Sequence, residues 1–129
     1  MKGLVVVLVL VFGVWDLAWL LAGVGQTLPW RLRRQLVEKP PQLLDVRTAA
    51  EYALFHIPGA VNRPDALAVS PVELGLDPAR PVVVVCMTGH RSPFVAKKLV
   101  KDGFDASNLT WGMLGWFASF GKTTTGPTP

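Results

Sequence analysis

Hydrophobic and polar positions divide this chain into one long apolar run followed by short patterned segments. Across residues 3–25 the only charge is Asp16, and positions 4–21 hold thirteen Val, Leu or Phe residues. Residues 31–41, RLRRQLVEKPP, read as a short amphipathic turn ending at Pro40-Pro41, a linker. A short buried strand is expected at 42–46. Thr48-Ala49-Ala50-Glu51 then has the form of a capping box, which predicts a brief helix over 49–54. The stretch His56-Ile57-Pro58-Gly59-Ala60 breaks that helix and leads into a second extended segment at Val61-Asn62.

Residues 63–80 are loop-rich, with one turn of helix expected at Ser70-Pro71-Val72-Glu73, a cap-plus-proline pattern closed by Gly75. The valine run 82–85 has no alternation, as in a central strand covered on both faces. Ser92 is a good N-cap and Pro93 suits the first helical position. Val95, Ala96, Leu99 and Val100 then form an apolar stripe at helical spacing, with Lys97, Lys98 and Lys101 opposite and Gly103 as the stop. A strand over 106–111 and a Gly-interrupted closing helix follow. The last residues, KTTTGPTP, hold nothing that would build a core. Short strands alternating with short helices imply an α/β sandwich with a mostly parallel sheet, in which ligands bind beyond the carboxyl ends of the strands.

Length and charge sharpen the division. The 129 residues make one domain plus an addition. Thirteen strongly apolar residues favour membrane insertion by about −4 to −7 kcal/mol, against roughly +3 for a central Asp. A run of this length suits a transmembrane anchor, whereas a signal-peptide apolar region is usually only ~7–15 residues. A cleaved signal segment and a buried strand are the other two readings. The expected organisation is therefore 1–25 transmembrane anchor or signal segment, 26–41 basic juxtamembrane linker, 42–121 folded domain and 122–129 disordered tail.

The formal charge of +4 sits beside the anchor, in Arg31, Arg33, Arg34 and Lys39. From residue 42 onward eight Lys or Arg face seven Asp or Glu. That distribution argues against a nucleic-acid partner and, by the positive-inside rule, places the domain in the cytoplasm. With a single cysteine, an intrachain disulfide is impossible. If the apolar segment is cleaved, the domain is periplasmic or secreted instead.

That cysteine, Cys86, ends the valine strand, and the loop Met87-Thr88-Gly89-His90-Arg91 carries the chain into the helix at Ser92. Backbone N–H groups of such a loop and the positive end of the helix converge there, an environment that favours anions. Position alone leaves a core residue and a nucleophile equally open.

Three segments in order resemble the rhodanese family of single-domain sulfurtransferases. LLDVRTAAEYALFHIPGAVN is similar to its first signature, VVVVCMTGHRS to its active-site loop and LTWGMLGWFASFG to its closing segment. The resemblance covers residues 42–121. It implies a rhodanese-like sandwich and a catalytic Cys86 that takes sulfane sulfur from a small anionic donor such as thiosulfate and passes it, as a persulfide, to a thiol or cyanide acceptor. It also implies a binding loop of Met87, Thr88, Gly89, His90, Arg91 and Ser92, with Asp45, Arg47, Glu51 and His56 in support. No cofactor is implied beyond the persulfide, and no His/Cys/Asp/Glu set has metal-ligand spacing.

Four residues separate Cys86 from Arg91, the short loop of sulfurtransferases. Related phosphatases and arsenate reductases carry one residue more, which accommodates a tetrahedral oxyanion. Met87 departs from the family pattern, which often has Arg or Lys there, and His90 replaces that charge only when protonated. Glu51 has a complete explanation as a capping residue, Asp45 and Arg47 as braces of the first strand, and His56 as part of a turn. A non-catalytic binding module on the same fold is the alternative to the enzyme; phosphatase or arsenate reductase activity is a more distant one.

Overall fold

The computed structural model describes residues 1–127. Five parallel strands form one sheet in the order β1-β5-β4-β2-β3: β1 (Gly25–Thr27), β2 (Gln42–Asp45), β3 (Val61–Asn62), β4 (Val82–Val85) and β5 (Ala106–Leu109). Helices α3 (Pro29–Glu38), α4 (Ala49–Leu54), α5 (Ser92–Lys101) and α6 (Gly112–Ala118) connect or follow the strands. The valine run of β4 lies between β2 and β5 and is buried at all four positions. Its side chains alternate between two cores. Val82 and Val84 pack with Val95, Ala96 and Leu99 of α5 and with Leu44. Val83 and Val85 pack with Leu43, Tyr52, Leu109, Met113 and Trp116. At ~1.5–3 kcal/mol for each fully buried aliphatic side chain, this strand is a main source of stability, and it presents Cys86 from its carboxyl end.

The capping box forms: Thr48 Oγ1 accepts from the Glu51 N–H and the Glu51 carboxylate accepts from the Thr48 N–H. The chain beyond α5 turns at Gly103, with φ of +89°, a backbone angle that glycine reaches without strain.

Several expectations are corrected. Residues 26–41 are not a linker. Gly25, Gln26 and Thr27 pair with Ser107, Asn108 and Leu109 as an edge strand, and α3 buries Pro29 and sets Leu32 in the second core. Pro29 at the helix start and Leu32 with Leu36 one turn apart supply the apolar stripe, while the arginines stay outside it. Only Lys39, Pro40 and Pro41 remain as a connection. In the tail, Thr124 exchanges two main-chain hydrogen bonds with His56 at 2.9 Å, and the Gly126 N–H reaches the Ala53 carbonyl at 2.9 Å. Trp116 Nε1 donates to the Lys122 carbonyl at 2.8 Å. Main-chain groups hold this segment, so its lack of apolar residues does not leave it loose; positions 128–129 lie outside the described residues. At Ser70 to Glu73 the expected single turn forms, with the Glu73 N–H reaching Ser70 Oγ at 3.4 Å and the Leu74 N–H the Ser70 carbonyl at 3.3 Å, and it does not extend into a helix. Strand β5 stops at Leu109, because the Thr110 N–H bonds the Thr27 carbonyl and Trp111 takes a left-handed φ of +62°.

The apolar run forms one helix, Lys2–Leu21, made of α1 (Lys2–Leu8), a π-helical stretch (Val9–Val14) and α2 (Trp15–Leu21). It is long and apolar enough to cross a membrane, a test that signal sequences near an N-terminus also pass. None of its residues is fully buried; Phe12, Trp15, Asp16 and Trp19 are half-covered by the domain.

Candidate active site

Cys86 leaves β4 with its side chain sealed from solvent. Its carbonyl accepts from the Met113 N–H at 2.9 Å, and the Met87 carbonyl accepts from the Leu114 N–H at 3.0 Å. The first turn of α6 thus takes up the carbonyls at the start of the loop. Gly112 makes this approach possible: with φ of +54°, an added Cβ would stand 2.4 Å from the Cys86 oxygen. Gly89, at φ of +84°, turns the loop back, and a Cβ there would stand 3.0 Å from the Trp111 nitrogen. That turn directs the Gly89 N–H to Cys86 Sγ at 3.1 Å.

The second polar group beside the sulfur is Ser92, whose Oγ stands 3.3 Å from Sγ. Ser92 is the first residue of α5, with Arg91 in the capping position, and its side chain makes no cap. The hydroxyl is turned inward between Sγ and the Asn108 amide oxygen, and its one hydrogen serves either of them but not both at once. Asn108 in turn donates to Gln26 Oε1 at 2.9 Å, and Thr110 Oγ1 donates to the same oxygen at 3.0 Å. A polar chain therefore runs from β1 through β5 to the sulfur. Its members Asn108, Thr110 and Gln26 were not anticipated. The available signal was the polar Asn within the buried strand ASNL, since a buried amide needs partners.

The remaining loop residues divide by direction. Met87 packs toward the second core. Thr88 Oγ1 and His90 Nδ1 are 2.9 Å apart, while His90 Nε2 faces the Val11 carbonyl at 3.1 Å. A carbonyl only accepts, so Nε2 carries a proton and, in the neutral ring, Nδ1 accepts from Thr88. Arg91 meets Glu51 in a forked contact, Nη2 to Oε2 at 3.0 Å and Nη1 to Oε1 at 3.2 Å. Hydrogen bonding to Arg91 holds the Glu51 carboxyl below its ordinary range, outweighing its partial desolvation, and the same bond raises Arg91. One carboxylate thus closes the capping box of α4 and anchors the end of the cysteine loop.

Asp45, Arg47 and His56 are brought near Glu51 and α4 rather than to the sulfur. Asp45 and Arg47 are fully buried and paired, Nη2 to Oδ2 at 2.8 Å, and Arg47 also donates to the carbonyls of Phe55 at 2.7 Å and Glu51 at 3.3 Å. These contacts satisfy the carbonyl end of α4. The His56 ring stacks on Tyr52 at 3.7 Å, and its Nδ1 lies 2.8 Å from the Tyr52 carbonyl. Among the described residues, no group of three or more His, Cys, Asp or Glu side chains is placed to hold a metal ion.

Comparison with known proteins agrees with this geometry. The rhodanese-like domain model matches residues 29–119. A thiosulfate:glutathione sulfurtransferase of Saccharomyces cerevisiae is 31% identical over 91 residues, covering 61% of this chain and 66% of the relative. The thiosulfate sulfurtransferase GlpE of Pseudomonas paraeruginosa is 35% identical over 95 residues, covering 72% of this chain and 86% of the relative. The chain spans only 20% of an adenylyltransferase and sulfurtransferase, UBA4, of Meyerozyma guilliermondii, which is 32% identical over 84 residues. Among solved structures, a rhodanese-like domain protein from Staphylococcus aureus superposes with a TM-score of 0.65 at 34% identity, covering 72% of this chain and 91% of that one. The family match begins at Pro29, so the N-terminal helix and β1 lie outside it. With the match extending over most of its length, this chain belongs to the rhodanese-like domain family.

Proposed function

We propose that this protein is a sulfurtransferase that works through a persulfide on Cys86. The observation that carries the reading is the placement of Cys86 Sγ between the Gly89 N–H and the Ser92 hydroxyl, at the foot of a short loop whose first two carbonyls are taken up elsewhere. The fixed Gly89 N–H, joined by the Ser92 hydroxyl when its hydrogen turns from Asn108 to the sulfur, stabilises negative charge there before and after transfer. The Cys86 thiolate attacks the outer sulfur of thiosulfate, the S–S bond breaks, and sulfite leaves with the bonding pair. The terminal sulfur of the Cys86 persulfide then bonds to an acceptor thiolate or cyanide, and the pair returns to Cys86. The cycle has no net oxidation at cysteine, and the persulfide is its only covalent carrier. Neither a cofactor nor a metal takes part.

Intact-mass measurement after incubation with thiosulfate tests this: the wild type gains one sulfur and Cys86→Ser gains none. No adduct on the wild type would leave the binding-module reading, which is favoured by Met87 in place of a cation and by the engagement of Arg91 with Glu51. Hydrolysis of a simple phosphate ester would instead point to phosphatase chemistry.

The Lys2–Leu21 helix is proposed as a membrane anchor, with the arginines of α3 holding the domain on the cytoplasmic side. A membrane-impermeant thiol reagent applied to intact cells should leave Cys86 unlabelled. Prompt labelling would place the domain outside, as would cleavage of the segment.

A further inference from the structure

The N-terminal helix lies against the cysteine loop. Its half-covered residues, Phe12, Trp15, Asp16 and Trp19, recur at the spacing of one helical face. Trp15 Nε1 donates to the Gly89 carbonyl at 3.2 Å, and the Val11 carbonyl accepts from His90 Nε2 at 3.1 Å. Trp15 stacks on the His90 ring at 5.1 Å, Phe12 meets its edge at 5.4 Å, and Trp19 packs on Phe94 of α5 at 4.9 Å. Two loop residues are therefore clamped from one side, Gly89 being the one whose N–H points at the sulfur. The winding changes from α to π over Val9–Val14, the stretch that contains Val11 and Phe12. Such stretches recur at functional sites.

Asp16 belongs to the same face. Its carboxylate lies beside Trp111 and near His90. The one acidic residue of this helix is thus turned toward the domain. Between the helix and β1 only Ala22, Gly23 and Val24 intervene, and Gly23, with φ of +91°, supplies a hinge.

This docked arrangement excludes a membrane-spanning one. Twenty residues at ~1.5 Å each reach about 30 Å, the full hydrocarbon thickness, so a spanning Lys2–Leu21 needs its whole length in lipid. Val11 would then lie at the midplane, and His90 could keep its bond to that carbonyl only if the cysteine loop were at the midplane too. We propose that the N-terminal helix is a removable cover: docked, it clamps Gly89 and His90 and closes access to Cys86; inserted in a bilayer, it swings about Gly23 and frees the loop. Membrane insertion is in this way the signal that opens the site. The inference rests on Cys86 being the reacting thiol, as proposed above.

Alkylation of Cys86 by iodoacetamide, followed by intact mass on the full chain, reads access without requiring sulfur transfer. In mild detergent, a Phe12→Ala/Trp15→Ala double variant should alkylate about tenfold faster than the wild type, and Val7→Ala, on the exposed part of the helix, at the wild-type rate. In vesicles of phosphatidylethanolamine and phosphatidylglycerol the wild type should alkylate as fast as the double variant. Equal rates for wild type and double variant in detergent, or no gain for the wild type in vesicles, would overturn the cover. If the double variant melts well below the wild type, Trp19→Ala decides in its place: it removes the packing on Phe94 and should also accelerate alkylation in detergent, and a wild-type rate overturns the proposal. Thiosulfate sulfur transfer measured alongside separates the two readings. Transfer with alkylation indifferent to the helix retains the enzyme and removes the cover, whereas alkylation that follows the helix without any transfer retains the cover and removes the enzyme.

Discussion

At the scale of single residues, the sulfur's surroundings reduce to two donors and the residues that aim them. Ser92 contributes when its one hydroxyl hydrogen turns from Asn108 to the sulfur, so Ser92→Ala should leave the fold intact and slow persulfide formation roughly 10- to 100-fold, the value of ~1.5–3 kcal/mol for a hydrogen bond to a charged group. Stopped-flow or quenched-mass kinetics with thiosulfate would measure it, and an unchanged rate would remove Ser92 from the site. Glu51 makes a different prediction. Its carboxyl lies below its ordinary value of 4.5 in the fold because Arg91 bonds the ionised form. The stabilisation is therefore complete above about pH 4.5 and is lost as pH falls through the lowered native value. Arg91 is half-exposed, which limits the pair to under about 1 kcal/mol. Melting temperatures of wild type and Glu51→Gln should differ slightly at neutral pH and converge in acid; a gap that persists at low pH would mean that the carboxylate's charge is not the cause.

At the scale of elements, the centre of the fold was readable and its edge was not. The valine strand, the turn at Gly89 and the stripe of α5 announce themselves because burial on two faces and helical spacing leave a pattern in side chains. Thr48 and Glu51 do so because a capping box is local. Strand β1 leaves no such trace: Gly25, Gln26 and Thr27 join the sheet through main-chain bonds to a partner some eighty residues away, and those depend on no side-chain period. Helix α3 was obscured by its own arginines, which drew attention from Leu32 and Leu36. The same separation in sequence concealed Asn108 and Gln26, whose value lies wholly in whom they meet. Leu32 is fully buried, so Leu32→Ala should cost about 2–5 kcal/mol in denaturant unfolding; a loss within a few tenths would return α3 to the status of a linker.

At the scale of the whole molecule, β1 decides where the domain can be cut. A chain beginning at Val24 retains the edge strand that covers β5, whereas one beginning at Gln42 exposes the N–H and C=O groups of β5 and the apolar seat of α3. Unpaired edges template association. Size-exclusion chromatography should therefore find the first monomeric and the second aggregated, and a well-behaved monomer from residue 42 would show that β1 and α3 are dispensable.

The pairing of β1 with β5 also sets an order of events during synthesis. Gln26 leaves the ribosome early, but Asn108 and Thr110, which hold its side chain, are made near the end. Cys86 and the helix that bears Ser92 must wait for them. The nascent chain therefore carries its thiol, for most of translation, without the polar chain that orients Ser92 toward it. The polar surroundings of Cys86 are complete only when β5 joins the sheet, by which time the N-terminal helix has long since had the opportunity to meet a membrane.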